Sequence, residues 1–160
     1  PFFDGNGLST GNNRLRFSPD GKTLWVGHSN HGWAGSRGIQ KLTWTGKVPP
    51  DVHRITLTQT GFSITFTVPV DKALATSVDN YPMKSYSYKY HKSYGSPQVN
   101  VKSIKPTKAT LSADAKTVLL SIPAMEARRL YEISLKQVRT NEGSALLNPL
   151  VVYHAHNLRE

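Results

Sequence analysis

The chain has 160 residues, 38% of them hydrophobic and 19% charged, a balance typical of a folded globular protein and not of a disordered one. Its 20 Lys and Arg against 10 Asp and Glu leave a formal charge of +10, which points to an anionic partner or surface without bearing on fold. The absence of cysteine excludes a disulfide framework, thiolate metal sites and a cysteine nucleophile. No apolar run reaches the ~18 residues of a membrane span, so none is expected. Pro1 to Asp4 carry no basic region followed by an apolar one, so no signal peptide is expected at this start.

Alternation at period two dominates the chain, and helical periodicity is nearly absent. Residues 14–17 alternate polar and apolar, and Ser18-Pro19-Asp20-Gly21-Lys22 supplies a turn, with Pro presetting φ and Gly tolerating the positive φ after Asp. Residues 23–27 return as the second strand of a hairpin. A glycine-rich loop over 27–38 leads to a third strand at 39–44. Lys47-Val48-Pro49-Pro50 reads as a stiff linker, because two prolines cannot donate ladder hydrogen bonds. Strands are then predicted at 53–58, 62–68, 84–91, 99–104, 109–112, 117–122, 130–138 and 150–155, with a helical turn near 71–78. So many short strands in about 110 residues are the signature of an antiparallel sandwich. The predicted architecture is therefore all-β: residues 1–46 form a three-strand segment and residues 47–160 a β-sandwich.

Two resemblances follow from these residues. Phe62 to Asp71, Asn80-Tyr81, Leu111 to Leu120, Tyr131 to Leu135 and Asn141 to Gly143 follow a pattern that resembles a bacterial immunoglobulin-like domain of exported multidomain proteins. That likeness implies a sandwich and carries almost nothing about function. Asn13 to Lys22, Leu24 to Gly27 and Gly38 to Leu42 are similar to the last blade of a β-propeller of the sorbosone or glucose dehydrogenase-like kind. Together the resemblances imply the C-terminal end of an exported propeller protein, secreted or periplasmic. One blade cannot form a propeller's active centre, and its sheet needs neighbours on both faces.

The most informative stretch for chemistry is rich in tyrosine and lysine. Tyr81, Tyr86, Tyr88, Tyr90 and Tyr94 are five of the seven tyrosines, and Lys84, Lys89, Lys92, Lys102, Lys105 and Lys108 lie in a segment without a carboxylate. On a strand, Tyr86, Tyr88 and Tyr90 would share one face. Rings beside ammonium groups suit stacking on sugars with pairing to sulfate or carboxylate, and they suit bases as well. The same pattern also fits tyrosines lining a sandwich face while lysines guard an edge strand.

Other constellations are weaker. His154 and His156 at period two could present two imidazoles to a metal, with His28 and His31 as further ligands, but no HExxH and no nearby acidic pair supports a site. The glycines of 27–38 and the exposed ring expected of Trp33 suit close approach to a ligand, yet no phosphate-cradle motif is present. Glu126 and Glu132 could meet across a turn, as a glycosidase would need, but nothing else marks them.

The expected function is a non-catalytic accessory module that binds carbohydrate, an anionic polysaccharide foremost. Its ligand residues would be Trp33, Tyr86, Tyr88, Tyr90, Tyr94, Lys84, Lys89 and Lys92, with Trp25 and Trp44 as further contacts. No cofactor, no catalytic residue and no metal is expected, and nucleic acid is disfavoured as a partner. The alternative is a structural C-terminal module that packs against the other domains of a propeller oxidoreductase and has no ligand of its own.

Overall fold

The computed structural model describes residues 7–30 and 35–159. The chain divides into two compact units, Pro1–Lys47 and Val48–Glu160. Both are built from antiparallel strands, and the protein is all-β.

The first unit is a meander of β1 (Asn12–Phe17), β2 (Thr23–His28) and β3 (Gly38–Thr43), hydrogen-bonded in that order. Its first turn is closed by side chains. Asp20 Oδ1 accepts from the Ser18 hydroxyl at 2.5 Å and from the Lys22 amide at 3.0 Å, and Ser18 Oγ accepts from the Thr23 amide at 3.0 Å. Gly21 takes a φ of 68° to complete the reversal, a conformation that costs an L-residue with a Cβ.

The second unit contains β4 (Val52–Leu57), β5 (Gly61–Phe66), α1 (Lys72–Thr76), β6 (Met83–Tyr88), β7 (Gln98–Ile104), β8 (Lys108–Leu111), β9 (Thr117–Ser121), β10 (Arg129–Ser134) and β11 (Leu150–Ala155). Its sheets run β4-β5-β9-β8 and β11-β10-β6-β7. Lettered A, B, C, C′, D, E, F and G in chain order, these strands give A-B-E-D against G-F-C-C′, the immunoglobulin arrangement. Alternation places Phe62, Ile64, Phe66, Val118 and Leu120 of one sheet in a single core with Met83, Tyr131, Ile133 and Ala155 of the other. Phe62 meets Tyr131 edge-on at 5.5 Å and Tyr153 at 5.2 Å, an arrangement aromatic quadrupoles favour.

Local chemistry sets the connections. Asp71 caps α1 by accepting the Leu74 amide at 2.8 Å, and the buried Tyr81 hydroxyl donates to the Ala75 carbonyl at 2.6 Å. The Ser-x-Asp-x-Lys-Thr turn recurs at 112–117, where Asp114 accepts from Ser112 and the Lys116 amide, and Ser112 Oγ accepts from the Thr117 amide. Tyr131 ties the approach to β10 down: its hydroxyl donates to the Glu126 carbonyl at 3.0 Å and accepts from the Glu126 amide at 2.7 Å. This is the tyrosine corner known from immunoglobulin-like sandwiches.

Three sequence expectations change. The strand predicted over 84–91 ends at Tyr88, and that predicted over 130–138 ends at Ser134. The prolines expected to act as a linker belong to the second unit, since the Pro49 carbonyl accepts from Thr67 Oγ1 and the Pro50 carbonyl from the Leu147 amide. Among the described residues no helix is long and apolar enough to cross a membrane.

Candidate functional site

The tyrosine-lysine stretch spans β6 and the loop that joins it to β7. Along β6, Met83 and Ser85 point into the sandwich, so Lys84 and Tyr86 stand on the outer face of the sheet. There Lys84 lies opposite Glu132, and Tyr86 opposite Leu130, on β10. These neighbours close over Tyr86. The Lys84 ammonium sits 5.4 Å from the centre of its ring, the Tyr88 ring meets it edge-on at 5.5 Å, and its hydroxyl donates to Glu132 Oε2 at 3.4 Å. Only 3% of Tyr86 remains exposed. Burial first, then the Tyr88 hydroxyl and the Glu132 carboxylate, push its ionisation up to about 12. Lys84 is itself engaged, at 3.2 Å from Glu132 Oε1 and 3.2 Å from Gln98 Oε1.

Tyr86 and Lys84 therefore drop out of the set expected to meet a ligand directly. Tyr86 sits on the outer face, as alternation requires, but a carboxylate 46 residues later in the chain and its own strand neighbours occupy it. The expectation that Tyr86, Tyr88 and Tyr90 share one strand face holds only for the first two. Tyr88 pairs with Gln98 as the last residue of β6, and Tyr90 lies beyond the ladder.

The loop over 89–97 is where exposed aromatic and cationic groups converge. The Lys89 carbonyl accepts from Ser96 Oγ at 2.9 Å and closes the loop across its base. Tyr88 is 49% exposed, and Tyr90 and Tyr94 are fully so. Tyr88, Lys89, Tyr90, His91, Ser93, Gly95 and Ser96 line an open hollow of about 410 Å³. Lys92 and Tyr94 belong to the same loop but not to that lining, and both are exposed. His91 is a lining residue that was not singled out from the sequence, since nothing in its spacing marks it.

Below the loop, β7 bulges between the partners of Ser85 and Ser87, with Asn100 at a φ of 53°. Arg129 fixes this irregularity from the core side. Its guanidinium donates to Ser85 Oγ at 3.0 Å and to the Asn100 carbonyl, and it lies 3.7 Å from Glu126. With only 7% of the residue exposed, the charge of Arg129 needs those partners.

The charge of the stretch is unevenly cancelled. Carboxylates from elsewhere reach three of its lysines: Glu132 pairs with Lys84, Glu126 with Lys102 and Asp79 with Lys105. Among the described residues no ion pair engages Lys89 or Lys92. Lys108 on β8 is likewise without an ion pair among the described residues, so two of the three uncancelled charges of the segment lie in the loop. Glu126 and Glu132 are held by different cations, Glu132 by Lys84 and Glu126 by Lys102 and Arg129.

The remaining expected groups stand apart. Trp33 and His31 lie outside the described residues. His154 and His156 are exposed with ring centres 5.9 Å apart, and among the described residues no three His, Cys, Asp or Glu side chains gather around a common point. His28 is buried, and among the described residues neither of its ring nitrogens has a hydrogen-bond partner. Trp44 donates from its indole to the Lys47 carbonyl at 3.0 Å and, with Phe17, Leu24 and Leu42, lines a hollow of about 420 Å³ on the first unit.

No family model matches the chain, and no curated protein matches it. Among solved structures, the crystal structure of the S-layer protein rSbsC(31-844) is similar over 67% of this chain, at 18% identity and a TM-score of 0.50. Domains 1–6 of surface layer protein SbsC and the N-terminal part of the bacterial S-layer protein SbsC align over the same share at 19% identity and TM-scores of 0.49. The chain spans 14% of the first of these proteins. At this identity the likeness is one of fold.

Proposed function

We propose that the protein is a non-catalytic accessory module of an exported protein, secreted or periplasmic, that binds carbohydrate at the β6–β7 loop. One observation carries this reading: the fully exposed Tyr90, the half-exposed Tyr88 and Lys89 surround an open hollow, and Tyr94 and Lys92 are exposed on the same loop. Tyr88 and Tyr90 supply apolar ring faces for a sugar, and Lys89 and Lys92 supply charge for a carboxylate or sulfate. Arg129 and the Asn100 bulge position the loop from behind. A sandwich whose fold is like that of a surface-layer protein suits a role outside the cytoplasm.

Affinity electrophoresis through gels containing neutral or acidic polysaccharides, at low and high salt, tests this reading. Retardation by an acidic polymer is expected, with a loss of roughly tenfold in affinity for Y90A/Y94A, the scale of one or two stacked rings. Charge-driven retention falls with salt, whereas stacking on neutral sugar does not. Equal retardation of Y90A/Y94A and the parent protein overturns the proposal.

A second reading is favoured by the first unit. Leu15, Phe17 and Trp44 are all more than half exposed, an apolar display that suits docking against neighbouring domains of a propeller oxidoreductase. On that reading the module has no ligand of its own.

A further inference from the structure

The two faces of the β1-β2-β3 sheet differ in chemistry. Leu24 and Val26 of β2 point to one side and are buried, whereas Trp25 points to the other and is 46% exposed. Register fixes what surrounds it: Arg16 on β1 and Lys41 on β3 both lie directly opposite Trp25. The next row on that face is Arg14, Gly27 and Ile39. Gly27 leaves a shallow step there, since a Cβ would meet the Arg14 Cβ at 3.3 Å. Arg14, Arg16, Ile39 and Lys41 are all exposed.

Among the described residues the face carries three cations and no carboxylate. Asp20, the one acidic residue of the described part of this unit, is turned into its own loop by Ser18 and the Lys22 amide. Among the described residues no ion pair engages Arg14, Arg16 or Lys41. Residues 1–47 hold six basic side chains against two acidic ones, so the excess charge of the chain is not confined to the tyrosine-lysine stretch.

We infer that this face is a second polysaccharide-binding site, with Trp25 as the platform for one sugar ring and Arg16 and Lys41 as clamps for carboxylates on either side. Adjacent strands are about 4.8 Å apart, so the backbones carrying the two clamps are separated by about 10 Å with the indole midway. That spacing suits a polymer with an acidic sugar at every second position and an uncharged one between. Nucleic acid fits less well, because its phosphates recur at every residue, each advancing only about 3.4 Å along a duplex axis. The Arg16 guanidinium adds a planar fork matched to a carboxylate. The site shares its ligand class with the loop reading but none of its residues.

The test uses the full chain and hyaluronan, in which glucuronate alternates with a neutral sugar, beside neutral dextran and an oligothymidylate of similar length. Charge reversal in R16E/K41E, at two exposed positions, is expected to lower hyaluronan affinity by roughly tenfold or more, equivalent to about 1.4 kcal/mol or more. W25A is expected to match it while unfolding at the parent temperature. Y90A/Y94A is expected to keep the component that R16E/K41E removes. If R16E/K41E binds hyaluronan like the parent while Y90A/Y94A does not, the second site is refuted and the loop reading stands. If the parent protein binds no hyaluronan, or binds oligothymidylate as tightly at the same salt, the inference is overturned.

Discussion

Replacing Tyr131 by Phe isolates the tyrosine corner, because the ring and its edge-on contact with Phe62 at 5.5 Å are retained. What is lost is the hydroxyl, which accepts from the Glu126 amide at 2.7 Å and donates to the Glu126 carbonyl at 3.0 Å. A net contribution of about 1 kcal/mol per hydrogen bond gives an expected destabilisation of about 2 kcal/mol. With a urea m-value of about 2 kcal/mol/M, the unfolding midpoint falls by roughly 1 M. Far-UV circular dichroism is the appropriate probe, since all three tryptophans, Trp25, Trp33 and Trp44, lie in the first unit and none in the sandwich. Tyr81→Phe is the internal standard. It removes one hydrogen bond, to the Ala75 carbonyl, and is expected to cost about half as much. A midpoint for Tyr131→Phe equal to or above that of Tyr81→Phe would refute the reasoning that the corner, and not ring burial alone, secures this edge of the sandwich.

Two further outcomes are expected. Ala115 holds a φ of 55° in the turn whose counterpart in the first unit uses Gly21, so Ala115→Gly relieves left-handed strain and raises stability by about 0.5–1 kcal/mol. A melting temperature that stays level or drops in calorimetry counts against it. At alkaline pH, burial raises the ionisation of Tyr81 as well as that of Tyr86 above the ordinary value near 10. The unfolded chain loses those protons first, so this part of the stability is complete below pH 10 and is lost as pH rises from there toward 12 and beyond. Tyrosinate absorbance should show two of the seven tyrosines delayed in the native protein. A single unresolved titration excludes this.

The strands were legible because each inward position is apolar and each turn carries its own chemistry. Asp20, Asp71 and Asp114 mark two hairpin turns and a helix start by side-chain acceptance alone, which depends on residues within a few positions. The sandwich followed from strand spacing and its immunoglobulin character from a resemblance over segments such as Phe62 to Asp71 and Tyr131 to Leu135, whereas the order of the strands came from the pairing alone. The candidate site was less legible, because its character is decided across strands. Lys84, Lys102 and Lys105 read as free charge until the fold brings Glu132, Glu126 and Asp79 to them. Tyr86 reads as a contact residue until its neighbours cover it. The flanking of Trp25 by Arg16 and Lys41 depends on the pairing register, which spacing along the chain does not reveal.

The bulge at Asn100 bears on how such a protein changes over time. Arg129 and Ser85 hold the bulge from within the sandwich, so the register of β6 against β7 is anchored independently of whatever residues occupy 89–97. Loop closure becomes only slowly more costly with length, by about 0.6 kcal/mol for each doubling. Insertions and substitutions there can accumulate while the core remains as it is. Descendants of this chain can therefore exchange one loop sequence for another without refounding the domain beneath it.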